Sequence, residues 1–444
     1  MTPLALVAEK LEARTQPTPP PPPATIAETG LHPDTLAQLM LKTLIAGEMS
    51  GTQLAEKMRL PYSVLDAMVQ HARVEKLIEV RGTAGVGSAG YRYTLTDLGR
   101  DRATQFMDLN RYVGAAPVPL AQYNAFVRAS MAARPWIDRD ILARGFSELI
   151  VNTEMYGKLG PAVNSGKSLF LYGAPGNGKT VIAQGIGRAL GSDTHIPHAI
   201  DVDGQTITMF DPVNHELTAP GSASDSVIAS APHDRRWEQI RRPVVVVGGE
   251  LTLEMLDLTF NPIAKFYEAP IQMKALGGVF VVDDFGRQRI PPRDLLNRWI
   301  VPLESRVDYL TLHTGRKFEI PFNVFIIFAT NLKPESLADE AFLRRIPYKI
   351  RAKNPTAEEY SAIFAMNCRK RGLAFDEVMV EYLMRKYYTA RKLQMRACHP
   401  RDLIEQVVDQ CRYQNREPAV TRDLLDIACS SYFVEESDSQ GREA

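Results

Sequence analysis

One stretch of the sequence has the residue types and the spacing of a phosphate-binding loop. It follows the apolar segment 169–172 and precedes residues 181–190, whose apolar side chains recur at helical spacing. Glycines let the backbone approach a phosphate, a helix N terminus supplies N–H donors, and a lysine followed by a hydroxyl residue suits phosphate and Mg²⁺. The pattern predicts that nucleotide phosphates contact eight residues: Gly173, Ala174, Pro175, Gly176, Asn177, Gly178, Lys179 and Thr180.

Polar residues also end two later apolar segments of the buried-strand type. Asp283 and Asp284 follow one of these segments, and Asn331 follows the other. Because the carboxyl ends of parallel strands meet at the crevice where phosphates bind, we expect these side chains near the loop. Asp283 suits a hold on Mg²⁺ together with Thr180, Asp284 suits orientation of an attacking water, and the Asn331 amide suits hydrogen bonds to that water and the γ-phosphate.

In this order, the motifs resemble the AAA+ family of P-loop ATPases over residues 140–434. The resemblance implies that 173–180 is Walker A, that Asp283 and Asp284 form Walker B, and that Asn331 is sensor 1. It further implies a sensor 2 arginine, Arg401, that reaches the bound nucleotide. Residues 275–280 and 342–345 are most similar to the branch that contains MoxR-like ATPases and bacterial enhancer-binding proteins.

The segment 337–345 resembles the part of this family that carries the arginine finger. Arg344 or Arg345 is then expected to act on the γ-phosphate bound by a neighbouring subunit, so that a monomer hydrolyses ATP poorly. The alternative is that one or both pair with Asp339 or Glu340. The resemblance implies ATP and Mg²⁺ as cofactors and a homo-oligomer, a hexameric ring.

The second Walker B acid departs from the family pattern. The family usually has glutamate at this position, and Asp284 is one methylene shorter. We therefore predict slow basal ATP hydrolysis.

Residues 30–113 have the order of a small helical domain with a hairpin. Three amphipathic helices are followed by a strand, a glycine-rich tip, a second strand and a further helix, which resembles a winged-helix domain. Such domains often bind DNA, but this segment has ten basic and nine acidic side chains. Phosphate neutralisation needs clustered Lys and Arg, so we favour docking to protein over binding to DNA.

The overall composition also favours a protein partner over DNA, and it excludes several classes of protein. The 444 residues are 45% hydrophobic, with 52 basic and 52 acidic side chains, so global disorder and a general attraction to nucleic acid or anionic membranes are both excluded. No apolar run reaches the roughly 20 residues of a membrane helix, and no secretory signal starts the chain. We predict a cytoplasmic protein without membrane insertion.

The predicted architecture is an α/β fold in which helices sandwich a parallel P-loop sheet, with a C-terminal helical lid and an N-terminal winged-helix (α+β) domain. The predicted boundaries are a flexible N-terminal segment with a Pro-rich linker (1–29), the winged-helix domain (30–113), a linker (114–140), the AAA+ core (141–354), the lid (355–434) and a disordered tail (435–444).

The interval between the two Walker motifs is long. A hairpin is predicted at 200–207, with a tight turn at Asp203 and Gly204. Phe266 and Tyr267 are candidates for a loop that faces the pore of a ring, although core packing is favoured. Four arginines are assigned to a solvated face, in preference to a nucleic-acid or subunit contact: Arg235, Arg236, Arg241 and Arg242.

The sequence thus predicts a ring-forming ATPase that remodels protein complexes, in the manner of a chaperone. One alternative is a DNA-associated ATPase or regulator that binds DNA through the winged helix. The other is a nucleotide-dependent switch with little turnover.

Overall fold

A computed structural model describes residues 17–433 of the chain except 84, 86, 192, 219–232 and 338. The first 16 residues and the tail predicted at 435–444 lie outside the described residues. The described chain divides into two compact units. The first contains residues 17–137, 190–281 and 288–326, and the second contains 138–189, 282–287 and 327–433.

The N-terminal part of the first unit has the predicted order of three helices, a hairpin and a further helix. A capping box between Ser50 and Gln53 starts one helix, and Gly99 is required because a Cβ there would lie 1.8 Å from the carbonyl oxygen of Leu77. Leu36, Leu65 and Tyr93 are fully buried in the shared core. The elements are α1 (Ile26–Thr29), α2 (Pro33–Leu44), β1 (Met49–Ser50), α3 (Gly51–Met58), α4 (Tyr62–Val74), β2 (Ile78–Thr83), β3 (Tyr91–Leu95) and α5 (Asp97–Leu109).

The proline content of the segment before this module predicts a stiff spacer that stays outside a packed core, and the structure differs from this prediction. Pro19 and Pro23 are buried, and the carbonyl of Pro20 accepts a hydrogen bond of 2.8 Å from the backbone N–H of Asp234. A polyproline backbone has free carbonyls and rigid apolar rings, so it can pack against a surface without forming a helix or a strand. The expectation that this segment stays outside a packed core is therefore wrong for these residues.

The middle of the chain alternates strands and helices. In order, its elements are β4 (Val118–Pro119), α6 (Leu120–Ala132), α7 (Arg139–Gly145), α8 (Thr153–Ser165), β5 (Leu169–Tyr172), α9 (Lys179–Ala189), β6 (Thr194–Pro197), β7 (Ala199–Val202), β8 (Gln205–Thr208), β9 (Trp237–Ile240) and β10 (Val244–Val247). The predicted hairpin is confirmed, because β7 and β8 pair antiparallel around Asp203 and Gly204. Both turn residues have positive φ, 50° and 80°, as a two-residue hairpin turn requires.

Further strands complete two five-stranded sheets. The elements are β11 (Thr259–Asn261), β12 (Phe266–Glu268), α10 (Ile271–Lys274), β13 (Val279–Val282), α11 (Pro292–Arg298), α12 (Ile300–Ser305), β14 (Val307–Thr311), β15 (Lys317–Pro321), β16 (Phe325–Thr330), α13 (Glu340–Leu343) and β17 (Tyr348–Arg351). One sheet has the order β11-β12-β8-β7-β4. Tyr267 on β12 is 1% exposed, so core packing is confirmed there and the pore-loop interpretation is wrong.

The other sheet is mostly parallel and has the order β10-β13-β16-β5-β17. Strand β5 runs parallel to both β16 and β17. All residues of β13 and β16 are buried, as expected of strands covered on both faces. The predicted α/β fold with a parallel P-loop sheet is confirmed.

The C-terminal part of the second unit is helical, as predicted for the lid. Thr356 and Glu359 form a capping box at its start, and Phe364, Leu403 and Leu425 lie in its core. The elements are α14 (Ala357–Lys370), α15 (Glu377–Leu383), a π-helical turn (Met384–Thr389), α16 (His399–Tyr413) and α17 (Arg422–Tyr432). Within the part of the chain that the structure describes, no helix is both long and apolar enough to cross a bilayer.

Candidate nucleotide-binding site

The predicted phosphate-binding loop connects β5 to α9 in the second unit. Gly173 has φ 148°, and a Cβ there would lie 2.3 Å from the carbonyl oxygen of Ala352. Gly176 has φ 78°, and a Cβ there would lie 2.5 Å from Sγ of Cys398. Both positions therefore require glycine for backbone conformation and for space.

Lys179 is held at the centre of the loop by oxygen atoms. Its Nζ donates to the carbonyls of Gly173 and Ala174, at 3.1 and 3.2 Å, and to Oδ1 of Asn331 at 2.6 Å. Burial lowers the pKa of Lys179, and the carboxylates of Asp283 and Asp284 oppose that shift. The ammonium group is thus aimed along the loop, where a phosphate would meet it.

The two Walker B candidates lie beside the start of α9. The Thr180 hydroxyl donates to Oδ2 of Asp283 at 2.7 Å. Asp284 has a φ of 47°, a left-handed conformation that Asp tolerates better than most residues, and its side chain is exposed. Its Oδ1 accepts a hydrogen bond of 3.0 Å from the amide of Asn331, so that one Asn331 side chain contacts both Lys179 and Asp284.

Asn177 connects the loop to two other segments of the same unit. Its amide Nδ2 donates to Oδ1 of Asn354 at 2.8 Å, and its Oδ1 accepts from the backbone N–H of Ala397 at 3.3 Å. A second bond joins these segments, since the N–H of Cys398 donates to the carbonyl of Gly176 at 2.8 Å. Pro175, which directly precedes Gly176, is exposed and lines the cleft.

A cleft of about 620 Å³ opens beside the loop. This volume falls within the range of small-molecule sites. All the predicted loop residues from Pro175 to Thr180 line it, and so do Asp283, Asp284, Asn331 and Arg401. Sequence reasoning missed the apolar part of the wall, which consists of Ile150, Val151, Ile363 and Met366.

No motif marks these apolar residues. Ile150 and Val151 belong to a short irregular segment. Ile363 and Met366 lie three positions apart on α14, a spacing that resembles ordinary core positions. Ile150 and Val151 could be assigned to the cleft only after the structure showed how near they lie to the loop. Asn354 was missed for the same reason.

Arg401 lies in the first turn of α16, and its side chain is 61% exposed. It donates to the carboxylate of the adjacent Asp402 at 2.8 Å, which raises the pKa of the guanidinium. The predicted sensor 2 residue therefore lines the cleft while it is paired with Asp402.

The two candidate fingers differ in exposure. Arg344 ends α13 and is exposed, and it forms no ion pair with any residue that the structure describes. Arg345 is half-buried and has an interaction partner. Arg344 forms no ion pair with Asp339 or Glu340, and Asp339 caps α13 by accepting from the N–H of Phe342 at 2.8 Å.

Comparison with known proteins gives a partial match and several distant structural similarities. Residues 356–431 match a family described as a domain of unknown function, DUF8689. No curated protein sequence matches the chain.

Solved structures are similar at low identity. One is NtrX from Brucella abortus, at 14% identity and a TM-score of 0.40, with 72% of this chain and 64% of that chain covered. NtrX in complex with ADP gives 15% identity and a TM-score of 0.40, with 76% and 68% covered. The RuvB Holliday junction branch migration motor of Thermotoga maritima gives 13% identity and a TM-score of 0.35, with 67% and 72% covered. This chain therefore spans a little under two thirds of the first NtrX chain.

Proposed function

We propose that the protein is an AAA+ ATPase that binds ATP with Mg²⁺ in the cleft of the second unit and hydrolyses it. The observation that carries the proposal is the hydrogen bond of 2.7 Å between Thr180 and Asp283, at the mouth of a loop with the complete phosphate-binding pattern. A hydroxyl and a carboxylate adjacent to a phosphate loop are the ligand types that Mg²⁺ takes in nucleotide sites.

The loop and the wall of the cleft have complementary tasks in this proposal. Lys179 and the backbone N–H groups at the start of α9 bind the phosphates. The apolar group formed by Ile150, Val151, Ile363 and Met366 suits one face of a nucleobase, because apolar walls bury flat rings and a few polar groups fix their orientation.

The residues present fit a magnesium ion. Thr180 and Asp283 supply oxygen ligands, and Mg²⁺ usually completes its shell with water and substrate phosphates rather than with further protein groups. When bound, the ion would neutralise charge on the phosphates.

Asp284 and Asn331 are the candidates for the hydrolytic step. The Asp284 carboxylate is exposed to the cleft and suits orientation of an attacking water, while the Asn331 amide holds that carboxylate at 3.0 Å. Because the aspartate side chain is short and already hydrogen-bonded, we expect slow turnover by the isolated protein.

We further propose a homo-oligomeric, hexameric ring in which Arg344 acts as the finger. An exposed guanidinium without an ion-pair partner among the described residues is free to contact a neighbouring nucleotide. Arg401 would contact the nucleotide of its own subunit after leaving Asp402.

For the client we favour a protein complex over DNA, with a cytoplasmic location and remodelling of the chaperone type. Basic side chains of the N-terminal module already have acidic neighbours. Arg81 lies 3.0 Å from Glu79, and Arg92 lies 3.2 Å from Glu48. Such pairing reduces the positive potential that DNA phosphates require.

Two experiments test these proposals. The first is calorimetric titration of ATP with Mg²⁺ together with a phosphate-release assay, in which Lys179→Ala should abolish binding. Lys167→Ala replaces an exposed lysine just before β5 and should have no effect. Unchanged affinity in Lys179→Ala would contradict nucleotide binding at this loop.

The second experiment is DNA binding by the full chain over a range of salt concentrations. Salt-dependent binding that is lost when Arg73, Arg81 and Arg92 are replaced by Gln would favour the DNA-associated alternative.

The phosphate-release assay also tests the nucleotide switch. Phosphate release that stays at background in the assembled protein would favour the switch, for which the short Asp284 side chain is the supporting observation.

A further inference from the structure

Three arginine side chains gather in the first unit without an acidic partner. Arg134 follows α6, Arg242 precedes β10, and Arg306 follows α12. None of them forms an ion pair with any residue that the structure describes. The three side chains are half-buried, and an arginine that is shielded from water is rarely left without a pair, so this grouping calls for an anion.

The three guanidinium groups converge on the segment that leads into β16. The Cζ atom of Arg134 lies 5.8 Å from the ring centroid of Phe325, and Nη1 of Arg306 lies 3.4 Å from the carbonyl oxygen of Val324. Positive groups from three separate parts of the chain are thereby brought to one place.

Arg242 is connected to the segment before β16 by two successive hydrogen bonds, with Gly277 between them. Its Nη1 donates to the carbonyl of Gly277 at 2.5 Å, and its Nε donates to the carbonyl of Gly191 at 3.1 Å. The N–H of Gly277 in turn donates to the carbonyl of Asn323 at 2.7 Å. Arg242 is therefore fixed in position by neutral carbonyl groups and not by an ion pair.

Arg134 and Arg242 line a small cavity. Four uncharged polar side chains line the same space: Ser130, Thr194, His195 and Asn323. No acidic residue is among the described residues that line it. The carboxylate that most influences Arg242 belongs to Asp193, which accepts a hydrogen bond of 3.0 Å from Gln239.

The charges of these arginines disfavour one another. Burial lowers the pKa of Arg134 to about 10. Burial and then the charge of Arg134 lower the pKa of Arg242 and of Arg306 to about 10 as well. A guanidinium has five N–H donors, and Arg134 gives none of them to a described residue. Donors and positive charge are thus both available in the cavity.

We infer that this cavity, which Arg134 and Arg242 line and near which Arg306 lies, binds an oxyanion of the phosphate type. Phosphate carries charge on several oxygens and accepts paired N–H donors from guanidinium groups, whereas chloride has one charge and no geometry to match. The site is separate from the Walker A loop and would bind phosphate whether or not nucleotide is present.

The probe is inorganic phosphate. Because the proposed phosphate-binding loop at 173–180 could also bind it, binding at that loop must first be removed. We would therefore use the full chain with Lys179→Ala as the parent protein. Calorimetry gives the dissociation constant for phosphate, and melting curves give the thermal shift. Sodium chloride at matched ionic strength is the reference for simple screening.

Arg134→Gln and Arg242→Gln, each in the parent protein, should weaken phosphate binding at least about tenfold, since each removes charged hydrogen bonds. Arg102→Gln is the matched control, because Arg102 also lies 5.8 Å from a phenylalanine ring, that of Phe106, outside the cavity. If either glutamine variant does not melt cooperatively, Arg134→Lys and Arg242→Lys replace them, because they keep the charge and lose the paired donors.

Three results would overturn the inference. One is the absence of phosphate binding by the parent protein, and another is an equal thermal shift with chloride. The third is equal affinity in the parent, Arg134→Gln and Arg242→Gln proteins. Because the parent protein already lacks Lys179, none of these outcomes depends on whether the protein is an ATPase.

Discussion

The Nζ atom of Lys179 lies 2.6 Å from Oδ1 of Asn331, although 152 positions separate the two residues in the chain. The same asparagine donates to Asp284 through its other amide atom, at 3.0 Å. Asn331 therefore joins the group that would bind phosphate to the group that would orient water, and its two hydrogen bonds fix which way its amide is turned.

Replacement of Asn331 by Ala should separate binding from turnover. The loop glycines and Lys179 remain, so we expect the affinity for ATP to change little. Loss of one positioned donor at a developing charge should reduce kcat about 10²-fold. Nucleotide titration and phosphate release on the same preparation check this. A large loss of affinity with unchanged kcat would show that Asn331 only supports the loop.

Replacement of Asp284 by Asn should abolish hydrolysis and keep ATP bound. Asn tolerates the left-handed backbone at this position as well as Asp does, so folding should not be affected and only the negative charge is removed. Single-turnover phosphate release measures the effect. Hydrolysis at the parent rate would remove Asp284 from the mechanism. Asp284→Glu, which restores the usual side-chain length, is the informative companion variant.

Arg344→Ala should lower ATP turnover, and a neighbouring subunit that keeps Arg344 should restore part of it. If Arg344 acts across a subunit interface, its loss should lower turnover by about 10³-fold or more at any protein concentration. Mixing Arg344→Ala protein with Lys179→Ala protein should restore part of the activity, because a mixed interface then contains an intact loop and an intact finger.

Arg385→Ala is the control for that experiment, since Arg385 is another exposed arginine of the same unit. It should retain full activity alone. If the mixture of Arg344→Ala and Lys179→Ala proteins stays inactive while each protein still binds to the other, the role in trans is contradicted.

Arg236→Ala should strongly destabilise the first unit. The side chains of Arg236 and Asp234 are each 1% exposed and are 2.7 Å apart, and Arg236 also donates to the carbonyls of Thr29 and Pro117. Removal of the arginine would leave Asp234 buried and unpaired, which costs about 3–5 kcal/mol of unfolding free energy. Denaturant unfolding monitored by tryptophan fluorescence measures the loss.

Its neighbour Arg235 provides the control. Arg235 is half-exposed and lies 4.0 Å from Glu56, so Arg235→Ala should cost no more than about 1 kcal/mol. Similar unfolding free energies for the two alanine variants would contradict the buried network.

Stability should fall on acidification in a way that depends on His399. Burial lowers the pKa of its imidazole to about 4, the charge of Arg396 adds to the shift, and Asp402 opposes it. Between the usual pKa of about 6.5 and pH 4, the unfolded chain takes up a proton that the folded chain does not, so stability decreases as pH falls through this window. Above pH 6.5 His399 contributes no pH dependence.

His399→Gln should therefore flatten the pH dependence of the melting temperature between pH 6.5 and 4. We expect a difference of about 1–2 kcal/mol, less than the full shift implies because solvent reaches part of the ring. His71→Gln, at an exposed histidine outside the lid, is the control for the loss of an imidazole. Parallel profiles for the His399→Gln and parent proteins would contradict the assignment.

Local pattern was sufficient for much of the fold. The connection from β5 to α9, the hairpin at Asp203 and Gly204, and the C-terminal helices follow from residue types within a few positions of one another. Helical periodicity, capping residues and positive-φ turns act over short distances, so the sequence reports them directly.

Arg235 and Arg241 are exposed as predicted, but the solvated face predicted for Arg236 and the spacer predicted for the proline segment were wrong for a common reason. Polarity and proline content suggested a solvated face and a free spacer. Burial of Arg236 depends on carbonyls more than 100 positions away, at Thr29 and Pro117, and Pro20 accepts its hydrogen bond from the equally distant Asp234. A charged side chain is buried only where partners converge, and no local pattern records that convergence.

By itself, the sequence determined which residues can do chemistry: the phosphate loop, the two aspartates, the asparagine and the candidate arginines. Only the tertiary structure decided which of them meet. Asn331 contacts Lys179 and Asp284, Asn177 contacts Asn354, and Arg134 and Arg242 share a cavity without an acid. The reason is physical, since hydrogen bonds and charge interactions act over a few ångströms of space, whereas the sequence orders residues only along the chain.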